Sequence, residues 1–197
     1  MIYDPQMTLR AARALYFEVN DFGADGGYKE RWIKVRVWRI PIWPPNTKGR
    51  RDAVRLHDLH HVLTEYPTTW RGEAEISAWE IGSGGLHRYY AGWVLDLMNI
   101  AQGLAINPRA TYRAFMKGTR NTNLYRTEFT DELLAQRVGE YRRRLCLHEP
   151  FAPASWTRRL AFAGWGLAAV GTYLGAVLLT LAPLLIVSIV ILVLGRS

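Results

Sequence analysis

The chain has 197 residues, with Lys+Arg 25 against Asp+Glu 17, a formal net charge of +8 and a pI near 9.9. Hydrophobic residues make up 49% and Trp occurs eight times, which excludes a disordered or fibrous chain. One cysteine, Cys146, excludes an intrachain disulfide and a multi-cysteine zinc site.

Neither charge nor hydrophobicity is evenly spread. Residues 1–108 carry 13 basic and 12 acidic side chains, residues 109–159 carry 11 and 5, and residues 160–197 only Arg196. The positive excess therefore sits in one block that includes Arg142, Arg143, Arg144, Arg158 and Arg159, followed by 36 uncharged residues, Leu160 to Gly195.

Taken in chain order, Thr8 is an N-cap for a helix reaching about Asn20, with Leu9, Ala12, Leu15, Tyr16 and Val19 on one face. The stretch from Asp21 to Tyr28 is turn chemistry. Alternation of Ile33, Val35 and Val37 with Lys34 and Arg36 predicts an extended strand, which Pro41, Pro44 and Pro45 should end. Helical patterns follow at about 50–65, 70–81, 86–103, 108–117 and 131–145, the last capped by Thr130, with breaker-rich segments between them. Residues 1–147 thus form one mainly α, compact multi-helix domain with a short extended segment near its N-terminus. His148 to Arg159 make a linker and basic juxtamembrane segment, and residues 160–195 a hydrophobic anchor.

The richest apolar window, Leu174 to Leu194, is long enough for a transmembrane helix, since about 20 apolar residues cross a ~30 Å hydrocarbon core. The basic block then reads as a membrane flank, because Lys and Arg collect on the cytoplasmic side of a span. That argues against a nucleic-acid partner. The expectation is a single-pass tail anchor with the domain cytoplasmic. A hairpin turning near Ala182–Pro183 is the alternative. Gly171 and Gly175 form a small-xxx-small pair through which two copies could pack.

The chemistry concentrates between Leu56 and Glu73. On a helix, Leu56, Leu59, Val62, Leu63 and Tyr66 share one face, while His57, His61 and Asp58 share the opposite arc. His57 and His61 stand at i, i+4, the spacing that lets two imidazoles reach one metal. Asp58 adds a carboxylate from the same turn, and a chain reversal at Tyr66–Thr69 would fold Glu73 over them. Two imidazoles and two carboxylates form a mixed N/O set suited to zinc or a similar divalent ion. The same arc would also serve as a plain solvated face, with Glu73 complementing a helix N-terminus. His60 points towards the core, and His87 and His148 have no partner in sequence.

His57-Asp58-x-x-His61, eleven further residues and then Glu73, set in HDLHHVLTEYPTTWRGE, resembles the signature of the coenzyme Q (ubiquinone) biosynthesis protein 4 family. Weaker similarity extends to Tyr16–Gly23 and to Asn123–Leu145. The resemblance implies a helical, membrane-associated protein that binds a divalent metal, usually Zn2+, through His57, Asp58, His61 and Glu73. It implies a role in ubiquinone biosynthesis: metal-dependent C1-decarboxylation, with or without oxidation at that carbon, of a polyprenylated 4-hydroxybenzoate, the work of a carbon–carbon lyase. A non-catalytic polyprenyl-lipid scaffold for other ubiquinone biosynthesis enzymes is the alternative. A bacterial member of this kind would sit at the inner (plasma) membrane.

An isoprenoid tail needs an apolar cleft, for which Trp70, Trp79, Tyr89, Tyr90, Trp93 and Leu97 are candidate linings, although each equally suits an ordinary core. Glu80, seven residues beyond Glu73, is a candidate proton-transfer group or a surface glutamate. Arg120, Asn121, Asn123 and Arg126 could grip an anionic headgroup or form a polar loop. Gly82, Gly84 and Gly85 lack the GK[ST] ending of a phosphate loop. An adjacent His-Asp pair also marks metal phosphohydrolases, but the further separated ligands of that class are missing.

Overall fold

Threonine hydroxyls set where half of the helices begin. Thr8, Thr47, Thr69 and Thr130 each accept a hydrogen bond from the backbone N–H three residues on, and Asn107 does the same before Pro108. The computed structural model describes residues 3–32, 35–37, 40–42, 45–148 and 155–194. Over these the fold is mainly α: α1 (Leu9–Val19), α2 (Lys48–Thr64), α3 (Trp70–Gly82), α4 (Tyr90–Ile106), α5 (Pro108–Gly118), α6 (Asp131–Ala135), α7 (Val138–Arg144) and α8 (Trp156–Leu194). A hairpin of β1 (Val35–Val37) and β2 (Ile40–Ile42) lies between α1 and α2.

The expected strand is thus half of an antiparallel ribbon that continues through Pro41, which stands opposite Arg36. Both strands of a two-stranded ribbon are edges, where a proline can turn its missing N–H outward. The expectations for Ile33, Lys34 and Pro44, and most of the linker, residues 149–154, lie outside the described residues.

The core gathers Leu56, Leu59 and Val62 of α2, Ile76 and Trp79 of α3, Ile100 of α4 and Phe115 of α5, all buried. α3 and α5 cross closely because two glycines meet. A Cβ on Gly82 would stand 2.4 Å from the Phe115 carbonyl oxygen, and one on Gly118 would stand 2.3 Å from that of Trp79.

Two helices depart from the sequence expectation. The one expected from residue 86 starts at Tyr90, because Gly84, Gly85 and His87 all take positive φ. The one expected over 131–145 is broken into α6 and α7. At the break, Leu9 N–H donates to the Gln136 carbonyl and Val138 N–H to that of Met7. The chain entering α1 thus pairs with an extended Gln136–Arg137 step and interrupts the helix.

Arg142, read from sequence as part of a basic collar, is buried. Its guanidinium donates to the Val62 and Leu63 carbonyls at 3.1 and 2.9 Å and to Glu65 at 2.8 Å, satisfying the carbonyls that α2 leaves open at its C-terminus.

α8 is one unbroken helix of 39 residues through Ala182 and Pro183, so the chain makes no hairpin there. Trp156–Ala182 is long and apolar enough to cross a membrane. Its first half also belongs to the domain. Trp165 stacks on Trp93 at 5.3 Å, Phe162 meets Tyr112 and Phe115, and Ala169 is buried.

Candidate metal centre

α2 carries His57 and His61 on successive turns, and the loop after it reverses so that α3 lays Glu73 over them. Gly72 permits the reversal: a Cβ there would lie 1.8 Å from the Pro67 carbonyl oxygen. The three side chains meet. His57 Nε2 and His61 Nε2 are 3.1 Å apart, and the two Glu73 oxygens lie 3.4 Å from His57 Nε2 and 3.3 Å from His61 Nε2.

The outer nitrogens of both rings decide what this cluster can hold. His61 Nδ1 lies 2.8 Å from the Tyr66 carbonyl oxygen, and His57 Nδ1 lies 2.9 Å from Glu80 Oε1. A carbonyl and a carboxylate only accept, so both Nδ1 atoms carry hydrogen and both Nε2 atoms present lone pairs. Two lone pairs and a carboxylate facing one another call for a cation between them: either a proton or a metal ion. One ligand atom from each of the three residues falls within 4.8 Å of the others, and the 3.1 Å between the two Nε2 atoms is close to the roughly 3.3 Å edge of a tetrahedron with metal–ligand bonds of about 2.0–2.1 Å. His57, His61 and Glu73 could therefore hold a metal ion.

Burial and charge act in opposite directions here. Burial alone would lower the His57 pKa, but the charge of Glu80 and hydrogen bonds to Glu73 and Glu80 outweigh it and raise it well above the ordinary value. Burial would raise the Glu73 carboxyl, yet the His57 and His61 rings that face it hold it down to about 2.

Asp58 does not join the three. Its oxygens accept from the hydroxyls of Tyr28, in a short bond, and of Tyr16, at 3.5 Å. Tyr28 is held by Asn46, whose amide donates to the Gly27 and Glu30 carbonyls at 3.2 and 2.8 Å and so pins the 21–32 loop to the start of α2. Tyr16 also stacks on His61 at 5.6 Å. Burial raises the Asp58 carboxyl, opposed by its bond with Tyr28.

Glu80, the candidate proton-transfer group, is fully buried behind His57. Oε1 also accepts from His60 Nδ1 at 2.6 Å and from the Tyr125 hydroxyl at 2.9 Å. A carboxylate donating its charge to the far side of a ligating imidazole fixes tautomer and ring orientation and strengthens the ligand. His60 is the core residue expected: burial lowers its pKa, and its Nε2 accepts from Leu124 N–H at 2.9 Å. Asp96 lies against Glu80, and burial, then the Glu80 charge, pushes its carboxyl well above the usual range.

A cavity of about 480 Å³ opens beside the triad. His57, Asp58, His61 and Glu73 share its wall with Tyr16, Phe22, Leu86, Leu95, Asp96, Asn99 and Tyr125. Glu73 is the most open of the triad, its side chain 29% exposed. None of the six residues expected to line a tail cleft is on this wall. Trp79 is buried against His60 and donates to Asn121, Tyr89 packs on Tyr125, and Trp93 is taken up by Trp165. Leu97 packs against the core, while Trp70 and Tyr90 are exposed.

The headgroup candidates mostly serve the fold. Asn121 joins Trp79 to the Cys146 carbonyl, and Asn123 donates to the carbonyls of Glu80 and Gly85. Reading the sequence missed Tyr125, Tyr28 and Asp96 as parts of the site. For Asp96 there was a signal: it is the one charge in the 17 residues of α4. No family model matches the chain, and no curated protein or solved structure matches it either.

Proposed function

We propose that the protein is a membrane-anchored metalloprotein of ubiquinone biosynthesis that removes the C1 carboxyl from a polyprenylated 4-hydroxybenzoate. The observation that carries this reading is the convergence of two imidazole lone pairs and Glu73 on the wall of a cavity able to take a ring. The His57-Asp58-x-x-His61…Glu73 resemblance supplies the pathway. Bound there, a divalent cation, Zn2+ by the donor set, would polarise the ring carboxylate or phenolic oxygen and stabilise developing negative charge.

The chain's own groups do the rest. Glu80 and the Tyr66 carbonyl hold both imidazoles with Nε2 aimed inward, so little reorganisation is needed when charge develops. Asp58 stands next to the triad, restrained by Tyr16 and Tyr28. Apolar walls from Phe22, Leu86 and Leu95 exclude water around the ring. α8 keeps the domain at the membrane where a polyprenyl substrate resides, with the basic flank placing the domain on the cytoplasmic side.

The test is to purify the full chain in detergent, measure bound metal, and assay release of the ring carboxyl by wild type and His61→Ala. One metal per chain with turnover that His61→Ala abolishes is expected. Metal without turnover would favour the scaffold that only presents the lipid to partner enzymes. A folded, metal-free wild type would overturn both.

A further inference from the structure

α4 has an outer face that the fold leaves uncovered. Asp96, Ile100 and Gly103 turn inward and are buried. The next part of its circumference meets α8, where Trp93 stacks on Trp165 and Leu104 approaches Gly166. A third part, with Gly92, Leu95 and Asn99, faces the triad's cavity. Between the α8 side and the cavity side lies an arc of Tyr90, Val94, Leu95 and Ile106, which are 81%, 48%, 54% and 57% exposed. No charge falls on this arc, since the single charge of α4 is the buried Asp96. A surface helix in water carries polar residues on its outer face, and contiguous exposed apolar surface marks a contact.

What covers the arc is indicated by what it adjoins. It is continuous with α8, the one described helix long and apolar enough to cross a membrane. The two helices together line a second cavity of about 290 Å³, with Ala101, Ala105, Ile106, Val170, Tyr173, Leu174 and Gln102 on its wall. The arc also has the borders of an interfacial segment. Exposed Arg88 precedes α4 and exposed Arg109 follows it, and Tyr90 stands at its start. Arginines reach back to headgroups, and tyrosine and tryptophan settle at the interface.

We infer that the outer arc of α4 lies in the bilayer, and that the cavity beside His57, His61 and Glu73 is therefore entered from the lipid side, past Ala91 and Leu95. The inference rests on the reading of α8 as a membrane span. Ala91 and Leu95 are both exposed and both line the cavity, so they form its edge on the arc. An amphiphile can thus slide its polar head towards the triad while its tail stays along α4, without crossing water.

The experiment places single cysteines in a Cys146→Ser background at Val94, Leu95, Ile106, Leu178 and Glu132. Each is labelled with an environment-sensitive fluorophore in vesicles of phosphatidylcholine and phosphatidylglycerol. Quenching by spin-labelled lipid is compared with quenching by iodide. Labels at 94, 95 and 106 should show blue-shifted emission and lipid quenching comparable to Leu178→Cys, while Glu132→Cys is quenched by iodide alone. Iodide quenching at 94 and 95 with lipid quenching at 178 overturns the inference and leaves the span intact. Loss of lipid quenching at 178 as well means that α8 does not span. Protection of 94 and 95 from both quenchers means a second protein chain covers the arc, which also overturns it.

Discussion

His57 and His61 face each other with Nε2 atoms 3.1 Å apart while each commits Nδ1 to an acceptor, Glu80 for one and the Tyr66 carbonyl for the other. Neither ring can turn its N–H towards the other without giving up that bond. The pair is consequently fixed with both Nε2 atoms turned inward, and its stability depends on whether a proton or a metal ion sits between them.

Removing the cation should therefore cost stability as well as activity. A chelator is expected to lower the melting temperature of the full chain in detergent, and restored metal to recover it. Occupancy at about 100 times the dissociation constant corresponds to roughly 2.7 kcal/mol. His61→Ala and Glu73→Gln should bind less metal and lose the chelator response. An unchanged melting curve on chelation of the metal-loaded wild type would contradict this.

Metal binding should release protons. The His57 pKa is raised above the ordinary imidazole value by the Glu80 charge and the glutamate hydrogen bonds, against its burial. The cation must displace that proton, so apparent affinity should increase as pH rises through the imidazole range and beyond it. Calorimetric titration in buffers of different ionisation enthalpy gives the proton count directly. A count of zero at neutral pH would show that His57 carries no proton before metal arrives.

Glu80 contributes through His57 and needs a variant that separates charge from shape. Glu80→Gln keeps the volume but loses the carboxylate that receives His57, His60 and Tyr125. A drop in metal affinity of about 10–100-fold is expected, read by competition with a chromophoric chelator. Circular dichroism should show the fold retained.

Gly72→Ala puts a methyl group where the Pro67 carbonyl stands. The first turn of α3 must move, taking Glu73 with it. Destabilisation of about 1–3 kcal/mol is expected, together with weakened metal binding, measured by urea titration and metal analysis. Normal binding would show that the loop relaxes without disturbing the carboxylate.

Arg142→Met tests a different part of the molecule. It removes the donors to the Val62 and Leu63 carbonyls in a buried setting. A loss of about 2–4 kcal/mol in urea is expected. Metal stoichiometry in the folded fraction should stay at the wild-type value.

Periodicity exposed the helices and the His57–His61 pair, because both are local properties of one helix. Bringing Glu73 over them was also legible, since a short loop between two helices leaves few alternatives. Asp58 was not legible in the same way. It shares the arc with the histidines, but its partners Tyr16 and Tyr28 come from α1 and the following loop, which no spacing within α2 reveals. Glu80 was found as a candidate, while its acceptor role required Tyr125, 45 residues away. The aromatic residues were harder still. Trp79 and Trp93 have the composition of a cleft wall, yet Asn121 and Trp165 claim them for packing. Arg142 misled for the same reason: net charge counts a guanidinium without saying whether water or two carbonyls receive it.

The length of α8 has a mechanical consequence. Thirty-nine residues extend about 58 Å at 1.5 Å each, nearly twice a ~30 Å hydrocarbon core. The half clamped to α4 and α5 runs unbroken into the remainder of the helix, so no flexible joint separates the domain from the part of α8 beyond it. A domain mounted on a stiff post cannot swivel as one on a tether would. In the membrane-anchored protein proposed above, its depth and heading would be set by the register of Trp165 on Trp93, and a glycine-rich insertion near Leu174 would free it to wander.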